Sequence, residues 1–213
     1  MAITVYGVAV SPFVRKVVLL LEELGMSFEH HKFTPLNKPE NFTDINPVGK
    51  IPALTDGDLT LAESSVICEY LNDKDAEGRF SPSDPALKAK ARWLQSYADS
   101  QLITTVTTIF FETVVKPKFL GEQADEERMN DIRENQLPPM LDFLESEAPE
   151  SGYIVGDQLS LADIAIATHF INGKYAKIQV DAEKWPKLAA YLDRILSLEC
   201  FKKRIADDLT MFG

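Results

Sequence analysis

The sequence predicts an α/β domain followed by an all-α domain. Short β-rich runs alternate with helical spacing over roughly the first 75 residues. The stretch RFSPSDPALK, residues 79–88, then interrupts the pattern with two prolines and two serines, the composition of a linker. Beyond it the apolar residues recur almost throughout at helical spacing. The expected boundaries are 1–80 for the first domain, 81–86 for the linker and 87–213 for the helical domain.

Ile3–Tyr6 is a short run suited to a strand. Ser11 and Pro12 precede FVRKVVLLLEEL, which carries apolar residues at helical spacing as far as Gly25. Serine at the N-cap, proline at the first helical position and glycine past the end mark both boundaries of a helix. Phe28–Phe33 is a second strand, and residues 34–50, rich in Pro and Asn, form a loop with a short helix. Ile51–Thr55 and Leu59–Leu61 flank Asp56-Gly57-Asp58 as a hairpin, because Asp-Gly accepts the positive φ of a tight turn. Ser64–Leu71 is helical, so the order is βαβ followed by ββα.

In the second part, residues 86–115 and 124–146 are long amphipathic stretches. The latter opens on Asp125, Glu126 and Glu127, which favour a helix N-terminus, and Pro138-Pro139 predicts a kink or break within it. Ser160-Leu161-Ala162-Asp163 has the spacing of a capping box, with Asp in place of the commoner Glu. Residues 183–198 and a short tail complete the helices.

The chain of 213 residues is long enough to bury a substantial core. Its formal net charge of -11 opposes binding to nucleic acid or to an anionic membrane surface. The first ten residues lack the basic start and apolar centre of a signal peptide, and no apolar run reaches the roughly 20 residues that cross a bilayer, so the cytoplasm is the expected location. Cys68 and Cys200 make neither a disulfide framework nor a CxxC pair. His30, His31 and His169 show no metal-ligand spacing and read as structural or solvated. No metal is expected.

Three segments narrow the reading further: Val10-Ser11-Pro12-Phe13-Val14-Arg15-Lys16-Val17, Asn46-Pro47-Val48-Gly49-Lys50-Ile51-Pro52-Ala53-Leu54, and Glu63-Ser64-Ser65-Val66-Ile67-Cys68-Glu69-Tyr70-Leu71. Their order and spacing resemble the cytosolic glutathione S-transferase family. Phe111-Glu112, followed by Lys116-Pro117 and Gly121, resembles the phi class of that family. The resemblance spans essentially the whole chain. It implies a thioredoxin-like first domain that binds glutathione, an all-helical second domain, a cytoplasmic homodimer and a role in detoxification.

By that resemblance Ser11 is the catalytic residue. A free thiol titrates near pH 8.5, so little thiolate exists at neutral pH. A hydroxyl donated to the sulfur contributes about 1.5–3 kcal/mol, or roughly one to two pKa units. The adjoining helix N-terminus favours the same charge. Without the other two segments Ser11 would read as a plain N-cap. Tyr6 is its rival, because some classes of the family use a first-strand tyrosine; its place inside the strand run assigns it to the core or the pocket wall.

Ile51-Pro52 resembles the family's cis-proline step, which would expose the N–H and C=O of Ile51 to the cysteinyl backbone of glutathione. Ser64, at a helix start, would hold the γ-glutamyl carboxylate, and Glu63 would face the α-amino group. Lys38 and Lys50 would approach the glycine carboxylate. Ser160 and Asp163 belong to folding, and Asp99 is either a solvated helix residue or a contributor across a dimer interface. The second substrate would be an apolar electrophile between the domains, with Phe13, Ile109, Phe110, Phe119, Phe170 and Tyr175 as candidate walls.

The expected activity is conjugation of glutathione to electrophiles, with peroxide as a further substrate class. Two alternatives stand beside it. Glutathione-dependent thiol–disulfide exchange would need a reactive cysteine at the first helix, where Ser11 stands. A non-catalytic glutathione- or ligand-binding protein of the same fold would keep the site without turnover.

Overall fold

A computed structural model describes residues 2–212, with side chains described through residue 210. The chain divides into two compact units, residues 1–81 with 199–213, and residues 82–198.

The first unit is built on a four-stranded mixed sheet of order β2-β1-β3-β4. Strand β1, Ile3–Tyr6, leads through helix α1, Pro12–Glu23, to β2, Phe28–His31. β1 and β2 are parallel, with Tyr6 opposite His31. β2 is two residues shorter than the sequence reading because β1 ends at Tyr6, and Gly7 closes the ladder by donating its N–H to the His31 carbonyl at 2.9 Å. A short helix α2, Phe42–Ile45, precedes β3, Ala53–Asp56, and β4, Leu59–Ala62. β3 runs antiparallel to both β1 and β4. The hairpin strand starts at Ala53 and not at Ile51, since Tyr6 opposite Ala53 is the last pair that β1 offers and Pro52 has no N–H to donate. Helix α3, Ser64–Lys74, follows. Val14 and Val17–Leu21 of α1 are buried, together with Ile67, Cys68 and Leu71 of α3.

The chain end is more ordered than the short tail expected. Residues Glu199–Phe212 form a 14-residue helix, α10, which belongs to the first unit. It is tied there by charge: Arg15 of α1 pairs with Asp208, and Glu22 pairs with Lys203 and Arg204. The helical pattern of the sequence alone assigns these residues to the second domain, 87–213; the pairing with α1 is what sets them in the first unit.

The second unit is helical. Helix α4, Pro85–Tyr97, starts at Asp84, whose carboxylate accepts the N–H groups of Ala86 and Leu87. Wider π-helical turns continue it over Ala98–Thr107 and Phe111–Leu120, separated by the three α-helical residues of α5, Thr108–Phe110. Gly121 ends this path in the left-handed conformation. Helix α6, Glu126–Asp131, passes through π turns at Ile132–Gln136 into α7, Leu137–Glu147. Pro138 and Pro139 therefore fall in the first turn of α7, where a missing N–H costs least, and the departure from α-geometry lies just before them.

Helix α8, Leu161–Tyr175, is buried on every face from Leu161 to Gly173, the property of a central helix. A Cβ on Gly173 would come within 3.0 Å of Val106 Cγ1, so glycine permits the close approach of the 98–107 segment. The capping box at its start is complete. The Ser160 hydroxyl accepts from the Asp163 N–H, and the Asp163 carboxylate accepts from the Ser160 N–H. Helix α9, Pro186–Leu196, buries Leu188, Tyr191, Leu192 and Ile195.

Candidate functional site

Ser11 occupies the N-cap of α1 in extended geometry, and its side chain makes no capping hydrogen bond. An N-cap serine ordinarily spends its oxygen on the N2 or N3 amide. Here the hydroxyl is left for another partner, beside first-turn amides that have none within the helix. The loop entering Ser11 is fixed from below, because the buried guanidinium of Arg15 donates to the Val10 carbonyl at 3.0 Å.

Tyr6 lies elsewhere in the unit. Its hydroxyl is 3.5 Å from Thr55 Oγ1, and its ring meets His31 edge-on at 5.3 Å and packs beside Phe42. Phe33, Phe42 and Ala53 form a small apolar cluster, with Tyr6, Ile45 and Ile51 packed against it. Tyr6 is a wall of that cluster.

The Ile51-Pro52 peptide is cis. Gly7, which sequence reasoning passed over, faces it. Its φ is +116°, and a Cβ there would stand 2.6 Å from Ile51 Cβ. The available signal was a glycine directly after a β-rich run, a mark of close backbone approach. His30 supports the same turn with Nε2 2.7 Å from the Gly7 carbonyl. Burial lowers the His30 pKa, Lys32 and Arg204 lower it further, and the Gly7 carbonyl opposes them.

Lys38 and Lys50 flank Gly49. The Lys38 ammonium reaches the Gly49 carbonyl at 3.4 Å, while Lys50 is exposed. Buried Asn46, a second residue the reading of the sequence left without a role, organises this loop. It donates to the Lys50 carbonyl at 2.7 Å and accepts from the Val48 N–H at 3.0 Å. The Asn46-Pro47 step was the visible sign, since Asn bonds to backbone two residues on.

Glu63 precedes α3 with φ +66°, a left-handed conformation that disfavours side chains, and Ser64 is the buried first residue of the helix. Strain of this kind costs about 1–3 kcal/mol and collects at ligand sites. The first unit thus carries the Ser11 and Ser64 hydroxyls, Lys38 and Lys50, the N-terminus of α3 and Glu63 at positive φ.

Comparison with known proteins matches residues 5–79 to the glutathione S-transferase N-terminal domain and residues 102–199 to the glutathione S-transferase C-terminal domain. A glutathione S-transferase of Hyoscyamus muticus is 32% identical over 217 residues, covering 96% of this chain and 98% of that protein. The chain belongs to the glutathione S-transferase family. Glutathione S-transferase 4 of Zea mays is 34% identical over 172 residues, 77% of this chain and 74% of its own length. The crystal structure of glutathione transferase F7 from Populus trichocarpa superposes with a TM-score of 0.83 at 26% identity, over 97% of this chain and 98% of that one. Phi-class members are thus among its relatives, and the thioredoxin-like first domain is theirs.

The six apolar residues expected to line a second-substrate pocket divide between the units. Phe13 is a half-buried residue of α1 in the first unit. In the second unit Ile109 is fully buried, Phe110 and Phe170 are nearly so, and Phe119 is 56% exposed. Phe110 and Tyr175 are brought together, with ring centroids 6.2 Å apart. Asp99 lies within its own unit 3.8 Å from His169 Nε2, and His169 Nδ1 is 2.9 Å from the Thr107 hydroxyl.

The cysteines are unsuited to disulfide exchange. Cys68 is buried inside α3, and burial pushes the Cys200 thiol up to about 11, away from thiolate. Among the described residues no group of His, Cys, Asp or Glu could hold a metal ion, and no helix is long and apolar enough to cross a membrane.

Proposed function

We propose that the protein is a glutathione transferase in which Ser11 donates its hydroxyl to the glutathione sulfur and holds it as thiolate. The observation that carries this reading is the N-cap position of Ser11 with its side chain uncommitted to the cap.

Binding uses backbone and charge. The N–H and C=O of Ile51 pair with the cysteinyl segment of glutathione as an added strand would. The amides that open α3, with the Ser64 hydroxyl, receive the γ-glutamyl carboxylate, and Glu63 faces the α-amino group. Lys38 and Lys50 attract the glycine carboxylate, which matters on a chain of net charge -11.

The thiol loses its proton to water, and the thiolate attacks an electrophilic carbon of an apolar substrate. A carbon–sulfur bond forms as the leaving group departs with its electron pair. With a peroxide, sulfur attacks one oxygen, the O–O bond breaks and the alcohol leaves after taking up a proton; the thiol of a second glutathione then attacks the sulfenic sulfur, forming the disulfide and releasing water. Serine is not the nucleophile; it stabilises charge on the sulfur and helps fix the attacking geometry. We place glutathione binding in residues 1–80 and the walls for the electrophile among Phe13, Ile109, Phe110, Phe119, Phe170 and Tyr175. A cytoplasmic homodimer acting in detoxification fits this chemistry.

The test is an ultraviolet titration of glutathione bound to the protein, with turnover of an aryl halide by Ser11→Ala and Tyr6→Phe. A depressed thiol midpoint that Ser11→Ala restores supports the reading. A midpoint equal to that of free glutathione, or turnover lost in Tyr6→Phe and kept in Ser11→Ala, overturns it.

A further inference from the structure

The peptide between Val10 and Ser11 is held at both edges. Its carbonyl accepts from Nη2 of Arg15 at 3.0 Å, and its N–H donates to the Val8 carbonyl at 3.1 Å. A peptide unit is planar, so bonds on opposite edges fix its orientation and with it the axis about which Ser11 can turn. Arg15 also acts from the other side, because its backbone N–H donates to the Ser11 carbonyl at 2.8 Å. Arg15 therefore brackets Ser11. The Ser11 side chain makes no cap bond of its own, so the backbone on either side is what directs its hydroxyl.

Arg15 is aimed in turn by the end of the chain. One carboxylate oxygen of Asp208 in α10 accepts from both Nε and Nη2 of the guanidinium, and both side chains are buried. Nη2 is the atom that also holds Val10. A guanidinium presents its N–H groups in a rigid planar fork, so the place of Asp208 dictates where Nη2 meets the Val10 carbonyl. Packing alone needs no such fork, since apolar side chains of similar volume fill a core without the cost of burying charge. The helix has other anchors: Phe201 is fully buried near its start, and Lys203 and Arg204 pair with Glu22 of α1. All these groups belong to the first unit.

We propose that Arg15 is a positioning residue for glutathione transfer and that Asp208 sets it, so that the last helix tunes the acidity of the bound thiol without touching the ligand. The inference rests on the reading of Ser11 as the hydrogen-bond donor to the thiolate. A hydrogen bond weakens steeply as it bends, so a hydroxyl that swings with a loosened Val10–Ser11 peptide stabilises the thiolate less. The thiol pKa then rises, and less thiolate is present at neutral pH.

The experiment compares the parent with Asp208→Asn and with the double variant Arg15→Met, Asp208→Leu. The double variant exchanges the buried pair for apolar groups, which keeps the space filled but leaves the Val10 carbonyl without its donor. Lys203→Gln, which cuts only an exposed ion pair of the same helix, is the control. Ser11→Ala checks the underlying reading. The thiol of bound glutathione is titrated in the ultraviolet, and kcat is measured at saturating glutathione from about pH 6 to about pH 9. Urea unfolding accompanies each variant, and Asp208→Asn, the gentler change, carries the same comparison where the double variant folds poorly.

The expected midpoint is about 0.5–1 unit higher in the double variant, smaller but upward in Asp208→Asn, and unchanged in Lys203→Gln. The matching loss of kcat, about threefold to tenfold near the acidic end, should close as pH rises past both midpoints, with KM for glutathione little altered. A loss of rate equal at every pH, or a midpoint equal to the parent's in the folded Asp208 variants, overturns the proposal and leaves the Ser11 reading standing. A parental midpoint in Ser11→Ala removes that reading and the proposal with it.

Discussion

Arg15 and Asp208, 193 positions apart in sequence, meet as a buried ion pair with Nη2 2.7 Å and Nε 2.9 Å from one carboxylate oxygen. The same guanidinium holds the Val10 carbonyl next to Ser11. The last helix is thereby linked through one side chain to the loop that presents the Ser11 hydroxyl.

Removing one partner leaves a buried charge uncompensated. Arg15→Ala or Asp208→Ala should each cost about 3–5 kcal/mol in urea unfolding. The double variant Arg15→Met with Asp208→Leu should cost far less than the two single losses added together. Equal and additive losses would mean the pair acts only through packing.

Ser11→Ala should raise the thiol pKa of bound glutathione by roughly one to two units and slow conjugation at neutral pH about 10- to 100-fold. The affinity for glutathione should change little, because Ile51, Ser64 and the two lysines remain. Rates measured at saturating glutathione across a pH series separate the two effects.

Gly7→Ala should destabilise the first unit by about 3 kcal/mol, since the added methyl meets Ile51 at 2.6 Å from a backbone conformation alanine avoids. Ile51 must give way, so KM for glutathione should rise with the loss of stability. Unchanged KM in a protein that remains folded would show that Ile51 does not contact the tripeptide.

His30 makes stability depend on mild acid. Its pKa in the fold lies below the ordinary 6.5 because of burial, with help from Lys32 and Arg204. The unfolded chain therefore binds the proton more readily. The stabilisation is complete above pH 6.5 and is lost as pH falls through the folded value. Denaturant titrations between pH 8 and pH 5 should show this decline, and His30→Asn should flatten it while costing about 1 kcal/mol at the upper end for the lost bond to Gly7.

Asp163 serves more partners than a cap requires: it accepts from the N–H groups of Ile154 and Ser160 and from the hydroxyls of Ser160 and Tyr191. Burial raises its pKa, and these four donors draw it back. Asp163→Ala should cost about 3–5 kcal/mol, against about 1 kcal/mol for Ser160→Ala, in thermal or denaturant unfolding. Similar losses in both would reduce Asp163 to a helix cap.

Local rules explain why much of this was legible in the sequence. Pro12, Gly25 and the Asp-Gly turn act within a few residues, so α1 and the hairpin were read nearly to their ends. Ser160 and Asp163 are three positions apart and announce their own capping box. Ser11, Lys50 and Glu63-Ser64 stood out because each lies in a short segment of fixed spacing. Gly7 and Asn46 gave only local signs, a glycine after a β-rich run and an Asn-Pro step, which do not say what is touched: the approach of Gly7 to Ile51 depends on the β1–β3 register, and Asn46 acts by turning its amide onto the Lys50 carbonyl.

The sequence by itself determined the order of the elements, the break near residue 80 and the family, since propensity, capping and motif spacing are properties of neighbours along the chain. Only the tertiary structure decided that α10 joins the first unit and that Arg15 steadies the loop before Ser11. Both turn on the pairing of Arg15 with Asp208, 193 positions apart, and such pairs are chosen by burial and charge in space, where periodicity along the chain carries no information.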